Sequence, residues 1–388
     1  MKNLKINSIL ESLPPSGIRR FFDIANRMTG VVSLGIGEPD FQTPWNIREA
    51  CIYALEKGHT HYTSNKGLIE LRRQISAHVA KKIGPRYDPE EEILVGVGVS
   101  ELLDLALRAL VNPGDEVIVP EPCYVSYKPL AALAGASVKT VETRVQDEFQ
   151  LTGKQLEAAI STKSKALVLS YPNNPTGATM PKRRLEEIAR VARENDLIVI
   201  SDEIYSDLTY GAEHASITAL KGMRERTILL HGFSKAYAMT GFRLGYACGP
   251  AKVIAAMTKI HQYSMLCAPT PAQKAAIEAL KNGDAAVEEM REEYDQRRRV
   301  IVKGLNEMGL KCFEPRGAFY AFPSIKTTGM SSLEFAEKLL AEEKVAVVPG
   351  TAFGDCGEGF VRCSYASSME NINEALLRMG RFVKRHAK

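Results

Sequence analysis

Short apolar runs rich in Val, Ile and Leu recur along this chain, and longer segments of helical period separate them. That alternation constrains the fold more than any other feature. Residues 93–97 (Ile-Leu-Val-Gly-Val) read as a buried strand, and residues 101–111 as a helix with Leu102, Leu103, Leu105 and Ala106 on its apolar side. Asn112-Pro113-Gly114-Asp115 stops that helix, and residues 116–119 begin the next strand. Further strands are expected over 166–170, 197–201 and 227–230, with a helix over 182–194 between the first two. Strands that are apolar throughout, rather than alternating, suit a parallel sheet whose crossover helices cover both faces. The expected fold class is α/β, with a mostly parallel, helix-covered sheet.

A single core of that kind does not use up 388 residues, so a second, smaller unit is expected. The C-terminal part supplies it. A long helical stretch over 272–308, rich in Glu, Arg and Ala, leads to strands over 319–322, 345–348 and 360–364. Helices over 332–343 and from residue 369 complete an α+β unit, and the long helix would bridge the two parts. No internal repeat and no low-complexity segment interrupts the pattern.

Charge and cysteine content remove several function classes. Fifty basic residues against forty-six acidic ones leave a net charge of +4, too balanced to argue for nucleic acid or a membrane surface. No apolar run reaches 18 residues, and residues 1–9 lack a signal-peptide core, so a cytoplasmic location is expected. The seven cysteines (Cys51, Cys123, Cys248, Cys267, Cys312, Cys356 and Cys363) form no C-x-x-C and read as reduced, packed thiols. His59 and His61 have no nearby thiol or H-E-x-x-H context, which argues against a metal site.

In parallel sheets, ligands bind at the carboxyl ends of the strands. Asn174, Asp202 and Lys235 each lie just past such an end. Lys235 follows Ser234 and precedes Arg243 by eight residues, with a stretch of mostly uncharged, small or apolar residues between them. A free amine beside a phosphate-binding serine and arginine is what an enzyme needs to hold pyridoxal 5′-phosphate (PLP) as a Schiff base. Gly96-Val97-Gly98-Val99-Ser100 joins a strand to a helix, where free N–H groups can meet an anion. The Rossmann fingerprint fails there because Glu101 stands at its third glycine, and Ser100 also reads as a plain N-cap. Asp202, at the end of an apolar strand, is placed to keep a pyridinium nitrogen protonated; the plainer reading is a turn aspartate. Tyr205, three residues on, is close enough to reach the ring's phenolic oxygen, and Asn174 can donate to the same atom or simply form an Asn-Pro turn. Arg362 stands among apolar neighbours and needs a planar anionic partner, either a substrate carboxylate or an internal acid.

D-x-x-Y at Asp202 and Tyr205, N-P-T-G from Asn174, and S-K followed by R at Ser234, Lys235 and Arg243 together resemble the class I/II aminotransferases of the aspartate aminotransferase fold (fold type I). The resemblance runs from about residue 18 to residue 382. It implies that Lys235 forms the Schiff base with PLP and acts as the catalytic base, that Asp202 pairs with the pyridine nitrogen, and that Tyr205 and Asn174 bind the phenolic oxygen. It places Ser234, Arg243, Val99 and Ser100 around the phosphate and Tyr124 against the ring. Tyr62 matches a tyrosine that reaches the phosphate in the neighbouring subunit, which implies a homodimer with composite sites. Arg362 takes the substrate α-carboxylate, and Gly37 lies in a segment that closes over it. The implied division is a large PLP-binding domain over 46–290 and a small domain made of 1–45 with 291–388. Gly232 stands where some relatives have a phosphate-binding serine, and Ser100 where some aspartate-using relatives have a lysine; no residue matches a distal arginine for a second carboxylate.

The function expected from this resemblance is that of an aminotransferase (transaminase) of amino-acid metabolism, moving an amino group between an L-amino acid and a 2-oxo acid by ping-pong kinetics. The expected substrates are of the aspartate or aromatic type, with alanine and N-acetyl-diaminopimelate as alternatives. A PLP-dependent C–S β-lyase uses the same cofactor residues and is the alternative activity. A transcription regulator with an aminotransferase-like domain would need a DNA-binding domain before residue 20, where there is no room for one.

Overall fold

The computed structural model describes residues 6–13 and 28–387. Part of the N-terminal stretch assigned to the small domain, and the expected start of the resemblance at residue 18, lie outside the described residues.

Seven strands form one sheet: β2 (Ile93–Gly96), β3 (Glu116–Glu121), β4 (Ser137–Glu142), β5 (Ser164–Ser170), β6 (Ile198–Asp202), β7 (Thr227–Gly232) and β8 (Gly245–Cys248). Their spatial order is β2-β8-β7-β6-β5-β3-β4. All pairs are parallel except those of β8, which runs antiparallel to both β2 and β7. The apolar strands predict this burial: β2 and β7 are buried along their whole length. One side of the sheet packs against the helices Ile69–Lys82 and Thr270–Asn282, where Leu71, Ile75, Val95, Leu229 and Ala275 share a cluster. Leu167, Leu169, Leu185, Ile188 and Val199 share another with the helix Lys182–Glu194. Ile254 and Met257, from the helix Ala251–Ser264, pack with Leu102 and Ile200 in a third.

Two smaller sheets lie elsewhere. Strands β1 (Val32–Ser33) and β10 (Val345–Ala346) pair in parallel, while β11 (Val348–Pro349), β12 (Val361–Ser364) and β9 (Tyr320–Ala321) form an antiparallel trio. The helices Asp284–Glu307, Ser332–Glu343 and Met369–His386 enclose a separate core around Tyr294, Phe319, Phe335 and Phe382.

Several expected elements differ in detail. The helical stretch over 272–308 is two helices, Thr270–Asn282 and Asp284–Glu307, broken at Gly283. The Asn-Gly-Asp sequence there ends one helix and opens the next, a signal masked by the even Glu/Arg/Ala composition around it. The strand over 345–348 is two short strands in different sheets, β10 and β11, with Val347 at the corner. The helix expected to begin at residue 101 begins at Gly98 with Val97 at its N-cap, so Ser100 lies inside the first turn rather than capping it. Strands β4 and β8 were not expected. Edge strand β4 exposes polar residues on both faces (Ser137 and Lys139 on one, Thr140 and Glu142 on the other), and β8 is short.

Candidate active site

The carboxyl ends of β2, β3, β5, β6 and β7 open onto one cavity of about 450 Å³. Each strand end delivers one part of it.

After β2 the chain turns into the helix Gly98–Leu110, and Val99 and Ser100 in its first turn line the cavity. First-turn N–H groups have no intrahelical acceptor and suit an anion. The turn is pinned from behind: Glu101 Oε2 accepts from Val97 N at 2.5 Å, and Glu101 Oε1 meets Nδ1 of the fully buried His261 at 2.6 Å. After β3, Tyr124 and Tyr127 line the cavity, their rings edge to face at 5.6 Å.

After β5 the Asn-Asn-Pro-Thr-Gly run divides the labour between its two asparagines. Asn173 makes the turn, its Oδ1 accepting from Thr176 N at 3.2 Å and Thr176 Oγ1 at 2.9 Å. That leaves the buried Asn174 side chain to enter the cavity, where its Oδ1 accepts from Arg362 Nη1 at 2.9 Å. At the end of β6, Asp202 Oδ1 accepts from Ile204 N at 3.2 Å, the expected turn bond, while Oδ2 accepts from the Tyr127 hydroxyl at 2.8 Å. Burial raises the Asp202 carboxyl above the usual range, and the Tyr127 hydrogen bond opposes that rise. The hydroxyl of Tyr205, also buried, lies 2.8 Å from that of Tyr320.

Strands β7 and β8 are antiparallel neighbours, with Gly232 opposite Gly245. The chain between them is an excursion over residues 233–244 at the cavity edge, and it carries Ser234, Lys235 and Arg243. Lys235 Nζ donates to Gly37 O at 2.6 Å and lies 5.7 Å from the ring centroids of both Tyr205 and Phe319. Burial, helped by the nearby Arg362 charge, lowers its pKa to about 8. Arg243, in left-handed backbone at φ 53°, donates from Nη1 to Thr240 O at 3.0 Å.

Arg362 comes from the other core, on β12, and is 1% exposed. It donates to Asn174 and, at 2.5 Å, to Gly35 O; its Nε has no hydrogen-bond partner among the described residues. Its guanidinium lies 4.5 Å over the Tyr320 ring and 4.9 Å over that of Phe353. No carboxylate pairs with it among the described residues, so the internal ion pair weighed from sequence is not what holds it. Cation–π contact contributes about 1–2 kcal/mol to such a desolvated group, less than the several kcal/mol that burying an unpaired charge costs. A planar anion entering the cavity would make up the difference.

The structure thus brings Gly37, Val99, Ser100, Tyr124, Asn174, Asp202, Tyr205, Ser234, Lys235, Arg243 and Arg362 around one cavity. Tyr62 stays outside it, with 81% of its surface exposed. Within residues 35–40, Gly37 and Glu38 line the cavity, and the segment is tied to both cores: Gly35 O to Arg362, Gly37 O to Lys235, and Glu38 Oε2 to Thr240 Oγ1 at 3.1 Å.

Comparison with known proteins decides what such a cavity belongs to. The profile described as Aminotransferase class I and II matches residues 29–379. The chain belongs to the class I and II aminotransferases. A Bacillus subtilis protein named as an aminotransferase, YugH, is 54% identical over 97% of this chain and 98% of its own length. An aspartate aminotransferase of Pyrococcus abyssi is 48% identical, with 97% of each chain covered. The crystal structure of an aromatic aminotransferase from Pyrococcus horikoshii superposes with a TM-score of 0.91 at 47% identity, covering 95% of this chain and 99% of that one. The protein is therefore an aminotransferase of mixed α/β fold, and neither the lyase nor the regulator alternative is favoured.

Sequence reasoning missed two residues of this aminotransferase's cavity that the geometry makes prominent. Tyr127 follows Tyr124 by three residues, but nothing in the sequence shows that it faces Asp202. Tyr320 sits in an apolar run that reads as an ordinary core strand. Glu38, Thr240, Leu103 and Ile204 also line the cavity.

Proposed function

We propose that this aminotransferase works with pyridoxal 5′-phosphate, held by Lys235, and exchanges an amino group between an L-amino acid and a 2-oxo acid by a ping-pong cycle. One observation carries the reading: a desolvated lysine amine, a buried carboxylate and an unneutralised buried guanidinium, from three distant parts of the chain, share one cavity.

The cavity fits the cofactor. At its anion end, a Cβ on Gly98 would lie 2.9 Å from Arg243 Nη2, and one on Gly245 would lie 2.9 Å from Val99 N. The two glycines let the guanidinium and the first-turn amides crowd together, as a phosphate requires. Ser234, Ser100, Val99 and Arg243 would hold the phosphate, Asp202 the pyridine nitrogen, Tyr205 and Asn174 the phenolic oxygen, and Tyr124 the ring face. When bound, PLP supplies an electron sink for charge developing at the substrate α-carbon. Lys235 Nζ, with its lowered pKa, would take a proton from that carbon and deliver it to C4′ of the cofactor. Arg362 and the segment around Gly37 orient the α-carboxylate, and residues 35–40 exclude water. Asn174 bridges both tasks, since the same amide touches Arg362.

We further propose aspartate- or aromatic-type substrates with a broad pocket. Among the described residues, the cations lining the cavity are Lys235, Arg243 and Arg362, and each already has a partner in this scheme. Among the described residues no fourth cation of this chain lines the cavity to pair a second substrate carboxylate, and Leu103, Val125 and Ile204 make part of its wall apolar. We propose a homodimer, supported by an exposed apolar set in which Trp45, Ile52, Tyr53 and Leu55 lie on one helix, with Tyr62, Tyr263 and Met265 beyond it. In that assembly Tyr62 completes the partner's phosphate site. The domain division at 46–290, with 1–45 and 291–388 as the small domain, and a cytoplasmic location complete the reading.

The test is a half-reaction screen. The PLP-loaded enzyme is mixed with one amino acid at a time, without an acceptor. Stoichiometric loss of the visible band with release of the matching 2-oxo acid is expected for aspartate or an aromatic amino acid. No spectral change with any amino acid, or pyruvate, ammonia and a thiol released catalytically from a thioether substrate, would contradict it.

A further inference from the structure

We propose that Tyr320 is a positioning residue with two separable tasks: its hydroxyl sets the hydroxyl of Tyr205, and its ring holds Arg362. The inference rests on the PLP reading above, which gives Tyr205 the cofactor's phenolic oxygen.

The hydrogen-bond geometry carries the first task. Tyr205 has one proton and, among the described residues, one hydroxyl partner, that of Tyr320 at 2.8 Å. Tyr320 in turn reaches Gly37 O at 3.5 Å, the limit of a hydrogen bond, where Lys235 Nζ already donates at 2.6 Å. When Tyr320 donates to Gly37 O, Tyr205 is left to donate to Tyr320; without that contact either hydroxyl can be the donor. If Tyr205 turns its proton to an anionic oxygen in the cavity, its own oxygen needs a donor. Tyr320 is placed to reverse and supply it, and a phenol that accepts a hydrogen bond donates a stronger one. The charged and titratable groups around this pair are Lys235, Arg362 and Tyr124, with Asp202, Glu38 and Arg243 facing Lys235. None of them is the hydroxyl's hydrogen-bond partner.

The second task is carried by ring contact. The Arg362 guanidinium lies 4.5 Å from the Tyr320 ring centroid, closer than to any other ring among the described residues. A flat cation held against a ring keeps its edge free for a carboxylate. Tyr320 comes from β9, in register beside β12, so both side chains descend from one small sheet. A Cβ on Gly37 would come within 3.0 Å of the Tyr320 hydroxyl, which shows how closely the covering segment rests on this residue.

Tyr320→Phe and Tyr320→Leu separate the tasks. Two quantities are read on the PLP-loaded enzyme: the pH midpoint of its visible band, and KM against kcat for the amino acid. Weakening the donor at the phenolic oxygen leaves the Lys235 nitrogen holding its proton to higher pH. Tyr320→Phe is therefore expected to raise the midpoint by about half a unit or more, lower kcat, and leave KM within about twofold because the ring remains. Tyr320→Leu is expected to raise KM by about fivefold or more as well. A Tyr320→Phe enzyme whose midpoint and kcat match wild type overturns the hydroxyl's task. A Tyr320→Phe KM raised as far as that of Tyr320→Leu overturns the ring's. If wild type itself develops no visible band with PLP, the cofactor reading fails first, and that result is distinct from both.

Discussion

Asp202 divides its two oxygens between two tasks, one on the Ile204 amide that shapes the turn and one on the Tyr127 phenol. Burial favours its neutral form, and Tyr127 works against burial. Tyr127→Phe removes that opposition. The carboxyl should then hold its proton to higher pH, so the ion pair proposed with the pyridine nitrogen weakens first as pH falls. A PLP Kd raised about tenfold near neutral pH, with the loss growing towards acid, is the outcome expected from titration of the visible band. A Kd unchanged across pH would remove Tyr127 from the account. Most of these residues were legible because their types are unusual where they stand: a lysine after a serine, an acid ending an apolar strand, an arginine inside one. Tyr127 and Tyr320 were not, because an aromatic in an apolar run carries the same signal whether it packs or works.

The working element is the excursion between β7 and β8, pressed against the first turn of the helix Gly98–Leu110. It exists because β8 returns antiparallel and so keeps both ends of residues 233–244 beside the strand termini. Gly98, at φ +79°, is where the two pieces meet. Gly98→Ala puts a methyl in left-handed backbone and against the Arg243 guanidinium. A stability loss of about 1–2 kcal/mol and a PLP Kd raised about tenfold or more are expected, from thermal unfolding and PLP titration respectively. An unchanged Kd with only the stability loss would mean that Arg243 does not sit on the phosphate. At this scale the sequence showed the parallel sheet plainly, since apolar runs between helical segments admit few other folds. It did not show β4 or β8. Strand β4 is mostly polar with no clean alternation, Lys139 and Thr140 being adjacent and both exposed, and β8 follows a loop whose length gives no hint of the reversed direction. The break at Gly283 was also hidden, because charged and small residues continue evenly on both sides of it.

Across the whole molecule, the site depends on residues from both cores being held together. Residues 32–43 provide much of the link. Val32 and Ser33 pair with Val345 and Ala346, Asp40 takes two hydrogen bonds from the buried Arg297 at 2.8 and 2.9 Å, and Thr43 Oγ1 donates to Ala238 O at 2.6 Å. One segment thus joins the small sheets, the helix Asp284–Glu307 and the loop that carries Lys235. No local pattern in the sequence announces such a strap, since its register partners Val345 and Ala346 lie 313 positions further along the chain, which is why its role came from family resemblance and not from periodicity. Every role proposed for this cavity depends on Lys235 being the residue that holds the cofactor. The direct measurement is to load the intact protein with PLP, reduce it with borohydride, and map the whole chain by peptide mass spectrometry. One pyridoxyl group per chain, on Lys235, with none retained by a Lys235→Ala variant, is the predicted result. A group fixed on another lysine, or no group fixed at all, would contradict it.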